Sequence, residues 1–405
     1  MRPQREYIIT KSEVYGYAED WLGTALRLEY EGYKCSSSVL LQVLLIAAAR
    51  VVSVFAACRS LADAPTDQTI RNALAATLPE MIELERRLNL GLVTHMPRAL
   101  RRKSRILAID LTLIPYHGQP LYDAKEIFRG QPKSGTTHFH AYATAVVLHN
   151  GYRYTLALTR VEYGESMKEV VQRLLAIVRR RAVKIRFLVL DKGFFSVEVI
   201  QYLHRARYGF IVPAFVRGPK PKNPKTPPNG LRALLKKKNG FYRQTLTSGQ
   251  TKEKKKTSAT VKICVASKSY TDEKSGKRCR KKLLYAVWKV SRSTKEIRET
   301  YRKRFGIETS YRQMNEARIK TCTRDPRQRL LFVGIALILR NVWVWIHFRF
   351  ARGKYTSEPQ LFLELLRFNE MLYWITQVIE HALGADKTLG LDLQTYKRLM
   401  ANYSP

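Results

Sequence analysis

The chain has 405 residues, 45% of them hydrophobic, and its 72 Lys and Arg stand against 33 Asp and Glu, a formal charge of +39. That length can bury a sizeable core and suits two or three domains, and that charge suits a polyanionic partner, nucleic acid before any other. Five scattered cysteines with no CxxC pair support neither a zinc ribbon nor a disulfide framework, and the start Met1-Arg-Pro-Gln-Arg-Glu has no apolar signal core, so a cytoplasmic location is expected.

Residues 1–100 read as helical. Ser36-Ser-Ser supplies an N-cap to a long apolar helix, and Asp63-Ala-Pro-Thr-Asp ends that region. Thr66 or Asp67 then caps a further helix that exposes Gln68, Arg71 and Asn72. A helix pair joined by such a turn fits DNA recognition through Gln68 and Arg71, or simple packing of a helical bundle. Residues 39–58 and 330–350 are apolar enough to suggest membrane spans, but they carry Gln42, Arg50, Arg340 and Asn341. A central Arg costs roughly 2.5–3.5 kcal/mol on insertion scales, so buried core helices and no membrane partner are expected.

From Ile106 the period changes to that of strands. Residues 106–114, 136–148 and 152–161 read as three strands, the last two joined at Asn150-Gly151, a strong hairpin signal. A helix over residues 167–181, a strand at 185–190, a helix at 197–207 and a strand at 210–216 follow. Three strands, helix, strand, helix, strand is the element order of the ribonuclease-H-like α/β fold, in which the first and fourth strands are neighbours. Each of those two strands ends in an acid, and the frames Arg105-Ile-Leu-Ala-Ile-Asp110 and Arg186-Phe-Leu-Val-Leu-Asp191 are near copies. A continuous apolar run of this kind is what a strand buried on both faces shows, with the charge emerging at its end.

Residues 217–282 hold 21 basic and 3 acidic side chains, and five of the sixteen prolines lie within residues 219–228. The β-like runs 241–246, 260–266 and 283–290 mark this region as a basic, β-rich insertion, with a disordered basic loop as the alternative. Between Thr294 and about Arg318 the helical period returns, and Tyr301, Arg304, Glu308, Arg312 and Asn315 share one face. Taken alone, Arg304, Glu308 and Arg312 are an ordinary ion-pair ladder. His138 and His140 share a strand face but lack a third metal ligand at useful spacing, and His117 lies in the loop after the first acid strand.

Here the chain resembles a known family. Asp110-x-Thr112, Leu190-Asp191-Lys-Gly-Phe, Tyr301-x-x-Arg304-x-x-x-Glu308, Arg318-Ile-Lys-Thr and Arg340-Asn-Val-Trp are similar to motifs of prokaryotic insertion-sequence DDE transposases. The group is the one marked by tyrosine, arginine, glutamate and lysine on the last catalytic helix, and the likeness covers about residues 100–350. The resemblance implies DNA cutting and strand transfer, with Asp110, Asp191 and Glu308 as catalytic ligands of Mg²⁺ or Mn²⁺ and Thr112 supporting a carboxylate. It implies DNA contacts by Tyr301 and Arg304, double-stranded DNA (terminal inverted repeats and target) as partner, and a homodimer on that DNA. Asn315 stands where the group has lysine, which leaves that charge to Arg312, Arg318 or Lys320. A non-cleaving DNA-binding protein on the same scaffold and a ribonuclease-H-like nuclease are the competing readings. The expected organisation is a helical DNA-end-binding domain at 1–100, a core at 101–216 and 291–350, the insertion at 217–290 and a helical region at 351–405.

Overall fold

The computed structural model describes residues 8–149, 152–216, 230–248, 257–273, 276–304, 306–350, 361–385 and 393–401. The N-terminal region is helical, with α1 (Lys11–Leu26), α2 (Ser37–Ala49), α3 (Val54–Arg59), α4 (Asp67–Thr77), α5 (Met81–Gly91) and α6 (Ala99–Arg102). A two-rung ladder of β1 (Glu31–Gly32) and β2 (Cys35–Ser36) leads into α2. Ser36 caps α2 by accepting the Val39 N–H, and Thr66 rather than Asp67 caps α4 by accepting the Thr69 N–H.

The remaining strands form one sheet: β3 (Arg105–Pro115), β4 (Phe128–Lys133), β5 (Thr136–His149), β6 (Tyr152–Val161), β7 (Ile185–Leu190), β8 (Phe210–Pro213), β9 (Gly240–Thr247), β10 (Ser258–Thr271) and β11 (Arg278–Trp288). Helices α7 (Met167–Arg179) and α8 (Val197–Arg205) flank β7, and the short α9 (Gly230–Leu234) precedes β9. Asn150 and Gly151 lie outside the described residues, but His149 stands opposite Tyr152, the register that a two-residue connection gives. The first acid strand, β3, lies parallel to the fourth strand of the expected order, β7, with Ile109 opposite Leu190.

The basic insertion does not stand apart from this sheet. β11 pairs antiparallel with β8 from Tyr285 opposite Pro213 to Trp288 opposite Phe210, and β10 and β9 continue outward from it. The apolar run Tyr285-Ala-Val-Trp288 drives this pairing, because those residues are buried or half-buried while Lys281 and Lys289 on either side are exposed. On the outer strand β9 the exposure simply alternates, as on a strand with one wet face.

After the sheet come α10 (Thr294–Lys303), α11 (Gly306–Asn315), α12 (Pro326–Phe350), α13 (Phe368–Leu383) and α14 (Leu393–Ala401). The single helix expected over residues 294–318 is two helices, broken after Lys303. The break decides where Arg304 goes, since it sits between the helices rather than on a shared solvent face. Helix α12 is long and apolar enough to cross a membrane, yet 94% of its most apolar stretch is buried within the fold. Two adjacent polar residues near its middle, Arg340 and Asn341, act as ties. Asn341 accepts the Thr155 N–H at 3.0 Å and donates to the carbonyls of Thr155 (2.8 Å) and Leu92 (2.9 Å). Arg340 donates to Gln313 Oε1 at 2.9 Å and to the Arg153 carbonyl at 2.8 Å, and burial pulls its pKa down to about 9. One hydrophobic cluster runs from Val14 through β3, β6 and α12 to Leu383, so the N-terminal helices and the sheet share a core.

His140 is buried beside that core and packs against Tyr116 with ring centroids 4.7 Å apart. Burial, helped by the charges of Arg329 and Arg160, pulls its pKa down to about 3. The unfolded chain takes up this proton near pH 6.5 and the folded chain does not, so stability is full above about 6.5 and falls as the pH drops toward 3. Replacing His140 by Phe should flatten that fall by up to about 1.4 kcal/mol per pH unit. The check is the Tm of both proteins between pH 7 and 4: the mutant should gain on the wild type as acid is added, and parallel curves would rule the histidine out.

Candidate active site

The acid pair is assembled by the sheet. Asp110 shares its β3 face with Ala108, because side chains alternate along a strand. Asp191 follows the last residue of β7, and its N–H donates to the Ile109 carbonyl at 3.2 Å, which brings it alongside Asp110. Asp110 is 6% exposed, and its Oδ1 accepts the N–H of Leu111 at 2.9 Å.

Arg304 lies between the two acids. One terminal nitrogen is 2.8 Å from Asp110 Oδ2 and the other 3.1 Å from Asp191 Oδ1, while its Nε donates to the Tyr301 hydroxyl at 3.1 Å. Burial alone lowers the guanidinium's pKa, but Asp110, Tyr301 and Asp191 outweigh it and the net shift is upward. Tyr301 is buried against Tyr285, 5.2 Å between centroids, and burial raises its phenol pKa. Both residues expected to meet DNA are therefore turned inward in this state, where they set the spacing of the carboxylates.

Helix α11 closes the site from above. Its Tyr311 packs on Ala108 and Val146, and its hydroxyl lies 2.8 Å from Thr144 Oγ1. Thr144 stands directly opposite Asp110 in the β3–β5 register, so this contact fixes the helix over the first acid. Burial, with the charge of Asp110 next, pushes the Tyr311 phenol pKa far up. Glu308 is on α11, one turn before Tyr311; its side chain lies outside the described residues.

A cleft of about 570 Å³ opens on the pair, lined by Asp110, Thr112, Asp191 and Arg304 at its floor. Arg312, Asn315 and Arg318 form one wall, and Lys133 and Ser134 at the tip of the β4–β5 hairpin lie on the cleft as well. Arg318 Nε donates to Asn315 Oδ1 at 3.2 Å, so the asparagine holds an arginine at the wall. Lys320 is not part of the lining; its N–H donates to the Val52 carbonyl at 3.1 Å. Gln68 and Arg71 are exposed on α4, outside this cleft, with Gln68 bonded to Asn72 at 2.8 Å and Arg71 paired to Asp67 at 2.7 Å. Thr144, Tyr311 and Lys133 are the members that the sequence pattern did not single out. Thr144 left one trace, a polar residue in the middle of an otherwise apolar run.

Two carboxylates held a guanidinium's width apart present hard oxygen donors of the kind that bind divalent cations. Among the described residues no third His, Cys, Asp or Glu joins them.

No curated protein matches the sequence. Among solved structures, the chain is similar to the piggyBac transposase in its synaptic complex with hairpin DNA. The TM-score is 0.51 at 13% identity, covering 100% of this chain and 87% of that one, a likeness of fold. The family model described as the transposase DDE domain matches residues 101–342, the stretch that holds both acids, Arg304 and α11. Since that match spans more than half of its length, the chain belongs to the transposase DDE domain family.

Proposed function

We propose that the protein is a metal-dependent transposase of a prokaryotic insertion sequence, one that cuts the element's ends to free 3′-hydroxyls and joins these to target DNA. The observation that carries this reading is the meeting of Asp110 and Asp191 at the ends of neighbouring parallel strands, both within 3.1 Å of one guanidinium. The order β6-β5-β3-β7-β8, with two antiparallel and then two parallel steps, supports a ribonuclease-H-like core. The Tyr301, Arg304 and Glu308 spacing supports the signature group.

Asp110 and Asp191, joined by Glu308 from α11, would hold Mg²⁺ or Mn²⁺. When bound, a pair of such ions activates the attacking oxygen and steadies the leaving one. The chain's own part is positioning. The Leu111 N–H orients Asp110, Tyr301 holds Arg304, and Thr112 lies on the cleft two residues beyond Asp110. The charge of +39 supports double-stranded DNA as partner, as does the fold's likeness to a transposase in complex with DNA. Two copies of the chain on that DNA, in the cytoplasm, complete the reading.

The test is a gel assay of the purified protein on duplex carrying the inverted repeats that flank its gene. Strand cutting that needs Mg²⁺ or Mn²⁺ and stops with chelator is the expected result. Binding without cutting in either metal would make the chain a non-cleaving DNA-binding protein.

A further inference from the structure

The cleft over the acids has a second basic side that comes from the sheet itself. The β4–β5 hairpin ends in Lys133-Ser134-Gly135-Thr136, with Lys133 opposite Thr136 and left-handed φ of 50° at Ser134 and 76° at Gly135. Positive φ at both central residues marks a type I′ turn, whose twist matches the strands and which therefore holds its flanks in one place. Three bonds anchor its base. Thr136 Oγ1 donates to the Tyr116 carbonyl at 3.0 Å and accepts the His138 N–H at 3.0 Å, and the Tyr116 N–H donates to the His138 carbonyl at 2.9 Å. The Tyr116 ring is covered in turn by Arg329 of α12 at 4.4 Å.

This rigid support presents an exposed lysine at the cleft, and among the described residues no ion pair to it forms. Arg312 on α11 and Arg318 in the loop after it reach the same cleft, and Asn315 holds Arg318 by its Nε. The floor is acidic, so a bare polyanion would be repelled there unless cations at the rim neutralise its charge.

We infer that the β4–β5 hairpin is a strand clamp: Lys133 on the hairpin and Arg312 on α11 bind phosphates of the DNA strand that lies over Asp110 and Asp191. The ligand is the phosphodiester backbone, and recognition is independent of base sequence, since lysine and arginine at a cleft rim read charge. The inference rests on the cleft being the DNA-cutting site. Its test reads binding, so it is separable from cutting.

The experiment measures fluorescence anisotropy of a labelled 25-base-pair duplex, on the order of two helical turns long, across a salt series. Each lost phosphate contact removes about 0.9 from the slope of log binding constant on log salt. Lys133→Ala and Arg312→Ala should each flatten the slope by about 0.9, and the double mutant by about 1.8. Lys133→Arg should keep the wild-type slope, and Lys168→Ala on α7 should leave it unchanged. A Lys133→Ala slope equal to that of Lys168→Ala overturns the clamp, even in an active enzyme. Flattened slopes in a protein that cuts no DNA would keep the clamp and remove the catalytic reading.

Discussion

Asp191→Asn should abolish metal-dependent strand cutting while leaving DNA binding intact. The change removes one negative oxygen ligand but keeps size and shape, and the side chain is about one-third exposed, so the fold has little to lose. Arg304 keeps its buried partner Asp110, 2.8 Å away. A site that needs both carboxylates to hold its metal should lose about a thousandfold in rate or more, which is roughly 4 kcal/mol of transition-state stabilisation. Affinity for duplex should hold or rise slightly, because one negative charge near the phosphates has gone. Cutting rates at fixed Mg²⁺, measured beside gel-shift affinities, decide it. A mutant that cuts within tenfold of wild type would remove Asp191 from the metal site.

Arg304→Met should act chiefly on stability. The guanidinium is about as buried as Asp110, with both side chains under 10% exposed, so its removal strands a carboxylate away from water. Breaking a buried pair from one side costs about 3–5 kcal/mol. Arg304→Lys should recover only part of this, since a point charge on a flexible stem cannot span Asp110 and Asp191 as the two-pronged guanidinium does. The mutant should also respond to Mg²⁺ more than the wild type, because a cation that binds the folded state stabilises it by mass action and here meets no resident competitor. Thermal denaturation with and without Mg²⁺ measures both effects. A Tm unchanged by the mutation, or an equal Mg²⁺ response in the two proteins, would show that the arginine does not neutralise the acids.

The acid pair was legible because two like frames, each four apolar residues and an acid, had to be central strands, and the element order made them neighbours. The fate of Arg304 was hidden by periodicity. The gap between α10 and α11 is only Arg304 and Phe305, too short to disturb the apolar spacing, so the pattern continues as if one helix ran through it. Gly306 was the only local sign of a break. Thr144 and Tyr311 meet across 167 positions of sequence, a contact that no local pattern reports. In the insertion, the density of lysine concealed that Tyr285–Trp288 is a core strand segment paired to β8.

The positive partner of Asp110 lies 194 positions further along the chain. During synthesis the first acid strand, its hairpins and β7 emerge well before that partner does. At typical elongation rates of about 5–20 residues per second, the wait is on the order of ten seconds or more. A sheet formed over that interval would hold Asp110 without the guanidinium that meets it in the finished fold and that arrives only after α10. A polypeptide that stops short of Thr294 therefore carries a built-in instability. Incomplete copies should be poor folders and short-lived, rather than stable basic fragments competing with the whole protein for DNA.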